Sequence, residues 1–213
     1  FYAVLNHARH VGEMSVVTDA DSVLVRFTYV DRNRGPRVET RYWLGAASAP
    51  LRMDSRGLSA DLFPTDVGER FLVAGDSAAW SSSVDSGHAR GDAAAFYRPR
   101  SPTPYDNALL AQYLLHQPQH MATLLPAGSA RLEIAADTVV TADGIRAHVR
   151  LMAVDGIGPW PIAVWLDDDD QLFSSDAGWF TTIRRGAEGT MPVLRALERA
   201  YRARRSAALA SRL

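Results

Sequence analysis

The chain has 213 residues, a formal net charge of −1 and no cysteine. The missing cysteine excludes disulfides, thiolate metal sites and a cysteine nucleophile, and the near-neutral charge gives no electrostatic reason to expect nucleic acid as a partner. All 23 basic residues are arginine, so mechanisms that depend on a Schiff-base or P-loop lysine are excluded as well.

The start of the sequence indicates a processed protein. The first residue is Phe1, and the sequence has a strand-like pattern from Tyr2 onwards. We therefore expect that a leader, tag or preceding segment has been removed, with a secretory signal as one candidate, and that the protein is periplasmic or secreted. No apolar run reaches the roughly 20 residues of a membrane-spanning helix, so no transmembrane segment is predicted.

The N-terminal half shows the two-residue periodicity of β-strands. In a first run, alternate apolar side chains share one face: Val23, Val25, Phe27 and Tyr29. A second run alternates in the same way: Val38, Thr40, Tyr42 and Leu44. Turn residues recur roughly every ten residues, a spacing typical of a large antiparallel sheet. We predict a mainly β (α+β) fold, with a large curved antiparallel sheet or half-barrel packed on one mid-chain helix and a C-terminal helix.

The mid-chain helix is predicted over residues 104–116. Thr103 suits the N-cap, Pro104 the first helical position, and Asp106 the first turn, while Pro118 ends the helix. An apolar stripe on this helix predicts that the sheet covers it. The stripe consists of Leu109, Leu110, Tyr113 and Leu114.

The last third returns to strands. Ala142-Asp143-Gly144 is a two-residue hairpin signal, and a second hairpin is expected to join Ile162–Leu166 to Leu172–Ser174. Trp179–Ile183 is predicted as a final strand. We assign residues 1–189 to the β domain with its inserted helix.

Residues 190–213 are predicted to form a terminal helix of about 36 Å. Leu194, Leu197 and Tyr201 form a stripe in its first half, so residues 190–201 are expected to dock on the sheet. The second half is rich in Ala and Arg, which favour helix without supplying a core. We therefore expect residues 203–213 to extend past the domain as a connector to another domain or chain.

Two pairs of histidines have a spacing relevant to metal binding. His116 and His120 are four residues apart, as zinc ligands on one helical face are, but Pro118 breaks the helix between them. A polar helix C-terminus is the simpler interpretation. His7 and His10 are three apart in a predicted strand and therefore point to opposite faces.

The remaining polar candidates are weaker. His88 and His148 have no recognisable partners in the sequence, and no Gly-x-Ser-x-Gly motif marks a nucleophile. Asp167–Asp170 offers carboxylates for calcium but lacks the spaced ligands of an EF-hand, so a solvated hairpin turn is the simpler interpretation. Arg90–Asp92 matches an adhesion-like tripeptide. This tripeptide occurs often by chance, so we assign it no function. We assign no catalytic, cofactor-binding or metal-ligating residue.

Aromatic and basic side chains gather near the C-terminus. The aromatic residues are expected mainly in the core, because Trp165 and Phe173 lie inside predicted strands. They are Trp160, Trp165, Phe173, Trp179 and Phe180. The terminal helix is basic, which predicts a solvated face or, less simply, a surface for an acidic partner. Its arginines are Arg195, Arg199, Arg202, Arg204, Arg205 and Arg212, and Glu198 stands four before Arg202, a favourable helical pair.

A series of short strings along the chain resembles the region that precedes the catalytic barrel in a group of bacterial amidohydrolase-family proteins. The strings are Asn33-Arg34-Gly35-Pro36, Gly68-Glu69-Arg70-Phe71, Ala79-Trp80-Ser81, Leu124-Leu125-Pro126-Ala127-Gly128, Val164-Trp165-Leu166-Asp167, Leu172-Phe173 and Arg184-Arg185-Gly186-Ala187-Glu188. The resemblance implies an exported β domain associated with a metal-dependent hydrolase. The family's ligands begin with a His-x-His pair, which this sequence lacks, so no catalytic role is carried over to any residue.

Three functions therefore remain open. The first is a non-catalytic accessory or interaction domain of an exported amidohydrolase, with a hydrolase barrel in the same or a neighbouring chain as partner. The second is a stand-alone periplasmic binding protein that holds an apolar or lipid-like small molecule in a curved sheet; the order of elements resembles that of periplasmic lipoprotein carriers, although fold does not fix function. The third is an enzyme with a dispersed site. An open apolar cavity would favour the second, and a continuous packed core with an exposed apolar flank the first.

Overall fold

The computed structural model describes residues 1–32, 34–59, 65–91 and 95–211. These ranges contain fifteen β-strands and two α-helices. The first nine strands are β1 (Tyr2–Asn6), β2 (Arg9–Asp19), β3 (Ser22–Tyr29), β4 (Arg37–Leu44), β5 (Pro50–Leu58), β6 (Asp66–Ala74), β7 (Ser77–Ser81), β8 (Ser86–Arg90) and β9 (Phe96–Tyr97). They are followed by α1 (Pro104–Leu115), β10 (Met121–Leu125), β11 (Ser129–Ala142), β12 (Ile145–Asp155), β13 (Ile162–Asp167), β14 (Leu172–Asp176), β15 (Thr181–Arg184) and α2 (Met191–Ala210).

All fifteen strands belong to one sheet, which confirms the predicted fold class. The order is β8-β7-β6-β5-β4-β3-β2-β1-β15-β14-β13-β12-β11-β10-β9, so the first strand pairs with the last and joins two meanders. Neighbouring strands are antiparallel except β9 and β10, which run parallel. Among the described strands, β8 and β9 form the edges, so the sheet is open rather than closed.

Helix α1 lies inside the curve of this sheet. Eleven of its twelve residues are buried, and its apolar side chains share one core cluster with residues from both meanders, including Val25, Phe71 and Val164. The predicted covering of the helix is therefore confirmed. The helix is buried all round, however, rather than along one stripe, and it ends at Leu115 with His116 as its C-cap.

The N-terminus of α1 is held by the capping arrangement that the sequence predicted. Thr103 is the N-cap, and its backbone N–H and side-chain hydroxyl both donate to the Asp106 carboxylate, at 2.7 and 2.8 Å. The Tyr42 hydroxyl of β4 also donates to Asp106, at 2.6 Å. These bonds satisfy a fully buried carboxylate and tie the helix to the N-terminal meander.

The opposite, convex side of the C-terminal meander carries a second core, which α2 covers. This cluster joins Leu5, Leu151 and Ile183 of the sheet to Leu194 and Tyr201 of the helix. Neither described helix is long and apolar enough to cross a membrane. Layers therefore follow the order α1, sheet, α2 on this side of the molecule.

Both predicted hairpins of the last third are present. Asp143 and Gly144 form the two-residue turn between β11 and β12 with φ of 51° and 80°, the left-handed values that favour glycine in such turns. The aspartate run joins β13 to β14 as expected. The final strand begins at Thr181, not at Trp179, because residues 177–180 form the turn ahead of it.

Candidate interaction surface

The structure places the helix-spaced histidines in separate backbone contacts. His116 Nδ1 lies 2.9 Å from the Gln112 carbonyl oxygen, and His120 Nδ1 lies 3.1 Å from the Leu114 carbonyl oxygen. His116 is the C-cap of α1, as a polar helix end requires, whereas His120 belongs to a short 3-10 turn. The two rings therefore do not share a helical face.

The N-terminal histidines differ from the prediction. His7 lies in the turn between β1 and β2 with a φ of 55°, not in a strand, and only His10 is in β2. His88 is exposed on the edge strand β8. Gly91 of the adhesion-like tripeptide donates its N–H to the Asp76 carbonyl at 2.8 Å, and Asp92 lies outside the described residues.

His148 has partners that the sequence did not reveal. Its Nδ1 is 2.5 Å from Asp168 and its Nε2 is 2.5 Å from Asp137. The bond to Asp168, with a second to Asp137, raises the pKa of His148 and favours the imidazolium. Because both ring nitrogens are engaged by carboxylates, this histidine is not free to act as the base of a Ser-His-Asp site.

The other carboxylates of the aspartate run contact different cations. Asp167 accepts from Arg184 at 2.5 Å, and Asp170 pairs with Arg150. The run is a hairpin turn, as the simpler interpretation held, and its side chains connect it to neighbouring strands. In the part of the chain that the structure describes, no group of three or more histidines and carboxylates is arranged to hold a metal ion.

The aromatic residues divide into two groups. Trp165 and Phe173 are buried in the core beneath α2, as predicted, and Phe180 packs on Phe27 and Tyr29 in the inner core. In contrast, Trp160 and Trp179 are 66% and 62% exposed. They lie in the β12–β13 and β14–β15 connections. The prediction that these two residues belong to the core is therefore wrong.

The docking predicted for the first half of α2 is confirmed. The buried positions end at Tyr201, and the described residues beyond it, 202–211, are exposed apart from Arg205, which donates to Asp155 at 2.6 Å. Arg195 contacts the His7 carbonyl at 3.3 Å, so several helix arginines bind within the chain. Arg212 lies outside the described residues. That α2 connects to another domain stays a prediction.

Glu198 has a different role from the one its spacing indicated. It is 4% exposed and accepts a hydrogen bond from Trp165 Nε1 at 2.7 Å, while Arg202 pairs with Asp176 at 3.6 Å. Burial, reinforced by the charge of Asp176 and opposed by the Trp165 bond, raises the pKa of Glu198 to about 7. No sequence signal distinguishes this buried carboxyl from a solvated one.

The convex side of the N-terminal meander is a surface rich in arginine. In the core clusters of the described residues, α2 packs on the other meander and does not cover this surface. We call the outward side of β3–β6 the arginine face. Its strands alternate buried inward residues with outward polar ones, for example Tyr42 inward and Arg41 outward. Its arginines are Arg26, Arg37, Arg41, Arg52, Arg56 and Arg70.

Two carboxylates hold four of these arginines in place. Glu39 accepts from Arg26 at 2.8 Å and also from Arg56. These three residues are direct cross-strand neighbours. Although partial burial acts in the opposite sense, the bonds from Arg56 and Arg26 hold the pKa of Glu39 below its usual value. Each such group of two guanidiniums and one carboxylate keeps a net positive charge.

The second group lies on the adjoining row. Asp54 pairs with Arg52 at 2.6 Å and with Arg70 at 3.8 Å, and the Arg52 guanidinium lies 4.2 Å from the centre of the Trp43 ring. The side chains of Arg26, Arg52, Arg56 and Arg70 are each more than half exposed. A shallow groove of about 520 Å³ crosses the face from β2 to β5. The face therefore presents ordered guanidinium groups to solvent.

Comparisons with known proteins show the fold alone. No protein-family model matches this sequence, and no curated protein matches it. Among solved structures, it is similar to a β-barrel-like protein of the domain of unknown function DUF1849 from Brucella abortus, at 13% identity and a TM-score of 0.51. The similarity covers 85% of this chain and 93% of that one.

Proposed function

We propose that this chain is a non-catalytic interaction domain that docks a partner protein through the arginine face. The observation that carries the proposal is the asymmetry of the convex side. Helix α2 covers one meander, while the other displays six arginines, four of which are held by Glu39 and Asp54. Arginine is enriched at protein interfaces, and its planar group pairs well with carboxylates.

The order of the face supports docking over a merely solvated surface. Side chains that are already fixed lose less conformational freedom on binding, so more of the contact energy appears as affinity. Arg52 is restrained by both Asp54 and the Trp43 ring. A partner with an acidic surface would find an array of guanidiniums in one geometry.

The packed interior favours an interaction domain over a carrier of apolar ligands. The space enclosed by the sheet is occupied by α1, whose side chains contact both meanders. An apolar ligand would have to displace buried groups that include the Asp106–Tyr42 bond. Such displacement opposes binding, because a buried carboxylate would lose its partner.

The identity of the partner follows from the sequence resemblance. The short strings along the chain are similar to the region ahead of a metal-dependent amidohydrolase barrel, and an exported hydrolase is therefore the partner we propose. A periplasmic or secreted location belongs to the same proposal. Reading the DNA after the Leu213 codon, and in neighbouring genes, would support it if a barrel with a His-x-His motif is found there.

Capture of the partner tests the proposal. The tagged chain is cross-linked in the cell-envelope fraction of its source organism, and the captured proteins are identified by mass spectrometry. We expect a metal-dependent hydrolase to be enriched, and its recovery to fall about tenfold for the Arg56→Gln/Arg70→Gln variant, a loss of about 1.4 kcal/mol in affinity.

The matched control is Arg199→Gln/Arg204→Gln, which removes two exposed charges from α2 and should leave the recovery unchanged. Equal loss in both variants would contradict a role for the arginine face. Capture of no hydrolase by the unmodified chain would instead refute the proposed partner.

A further inference from the structure

A polar cleft opens at one end of the sheet and shares no lining residue with the arginines of the arginine face. Three turns meet there: β1–β2 with His7, β3–β4 with Asp31 and Arg32, and β14–β15 with Gly178 and Trp179. They are neighbours because the strand order β3-β2-β1-β15-β14 places alternate hairpins at the same end. The cleft encloses about 790 Å³, within the range of small-molecule sites.

We propose that this cleft binds a small sugar acid, a six-membered ring that carries hydroxyl groups and a carboxylate. The proposal goes beyond the docking function and does not depend on it. It rests on three features of the cleft, which are an exposed aromatic side chain, exposed guanidinium groups and a mixed set of hydrogen-bond donors and acceptors.

The aromatic side chain of the cleft is Trp179, which is 62% exposed. The turn that carries it is fixed from both sides. The Gly178 N–H donates to Asp176 at 2.7 Å, and the Ala177 N–H donates to the Phe180 carbonyl at 3.1 Å. Phe180 then packs inward against the core, 4.9 Å from the ring of Tyr29. With its neighbour held inside, Trp179 is presented outward, and its electron-rich face suits the polarised C–H groups of a saturated ring.

The carboxylate is provided for by Arg9 and Arg32. Asp31 is mostly buried and lies 3.3 Å from one nitrogen of Arg9, whose side chain is 70% exposed. The carboxylate therefore orients this guanidinium while leaving its other N–H groups available. Arg32 has a φ of 52° in the tight turn closed by two backbone bonds between Asp31 and Arg34, and it forms no ion pair with the described residues. Two guanidiniums against one carboxylate favour an anion.

The mixture of polar groups distinguishes a sugar acid from an aromatic acid. Five of the eight lining residues carry polar side chains: Asn6, His7, Arg9, Asp31 and Arg32. The Asn6 and His7 side chains are hydrogen-bonded to each other at 2.7 Å. Ring hydroxyls need both donors and acceptors, and these residues supply both. A flat aromatic acid would use only the Trp179 ring and the two guanidinium groups.

Titration followed by the tryptophan indole N–H resonances tests the site. The Trp179 signal is assigned by its loss in Trp179→Phe, and the protein is titrated separately with galacturonate, galactose and benzoate. We expect a saturable shift of this signal with galacturonate and at least about tenfold weaker binding of galactose and of benzoate. A linear response to galacturonate, or equal affinity for galactose, would overturn the proposal.

Variants separate the cleft from a general effect of exposed aromatics and charges. Arg32→Gln and Trp179→Ala should each weaken galacturonate binding by about tenfold or more, with an otherwise unchanged backbone amide spectrum. Trp160→Ala is the matched control, since Trp160 is equally exposed but lies outside the cleft lining. Unaltered binding in the two cleft variants, or equal weakening in the control, would refute the site.

Discussion

Neutralising Glu198 should stabilise the protein, by an amount that grows as pH rises from about 4.5 to about 7. The carboxyl is buried beneath α2, where it accepts a hydrogen bond from Trp165 Nε1 and lies near Asp176. Burial raises its pKa from 4.5 to about 7, because the low-dielectric surroundings disfavour the charged form.

The sign and size of the pH dependence follow from this pKa. Between about pH 4.5 and pH 7 the folded protein holds a proton that the unfolded chain has released, so stability falls as pH rises through this window. The contribution of the neutral carboxyl is fully present below about pH 4.5 and is lost above about pH 7. A tenfold change in the acid dissociation constant corresponds to about 1.4 kcal/mol. The free energy of unfolding therefore falls by about 3 kcal/mol across this window.

Glu198→Gln imitates the protonated state. The amide oxygen still accepts from Trp165, and the amide N–H₂ donates to Asp176 as the neutral carboxyl does. We expect variant and parent to be equally stable near pH 4, and the variant to be more stable by about 1–3 kcal/mol near pH 8. Urea denaturation followed by tryptophan fluorescence at a series of pH values measures this difference.

The control for this experiment is Glu13→Gln, whose side chain is 59% exposed and pairs with Arg185 on the surface. Its effect should stay within about 0.5 kcal/mol at every pH. A Glu198→Gln variant that is less stable near pH 8, or whose effect does not change with pH, would refute the reasoning about a buried neutral carboxyl.

Two further predictions concern the helices. Leu110 is 0% exposed in α1, so Leu110→Ala should cost about 2–5 kcal/mol in urea denaturation, and a loss below about 0.5 kcal/mol would show that the helix is peripheral. Truncation after Arg202 removes the Arg205–Asp155 pair, whose side chains are 26% and 27% exposed, and should cost less than about 1 kcal/mol. The melting temperature should then stay within a few degrees, and outright unfolding would place the whole of α2 in the core.

Features determined by local sequence were predicted well. Helix α1 starts where Thr103, Pro104 and Asp106 indicate, because a capping box needs only residues three apart. The turn at Asp143-Gly144 follows from backbone conformations that few other residues adopt. The alternation of inward and outward side chains in β3 and β4 likewise depends only on neighbours along the chain.

The complete burial of α1 was not predictable from periodicity. Polar positions on the helix indicate a solvent-facing side, yet Asp106 accepts from Tyr42 and Gln112 donates to the Asp170 carbonyl at 2.7 Å. These two bonds each join residues more than fifty positions apart in the sequence. A hydrophobic pattern depends on side-chain type and carries no information about such distant partners. The pattern therefore predicted one covered stripe, whereas nearly every side of the helix is buried.

The same limit explains why neither candidate surface was foreseen. The sequence identified His7 and Trp179 only as members of unrelated groups, and they are brought together because Leu5 pairs with Thr181 where β1 meets β15. On the arginine face, Arg26, Glu39 and Arg56 become neighbours only through the register of three strands. Pairing register decides which charges meet, since a shift of one residue would turn every one of these side chains to the other side of the sheet. The positions that carry chemistry in this fold are therefore set by strand pairing, and a single sequence reveals the strands more readily than their pairing.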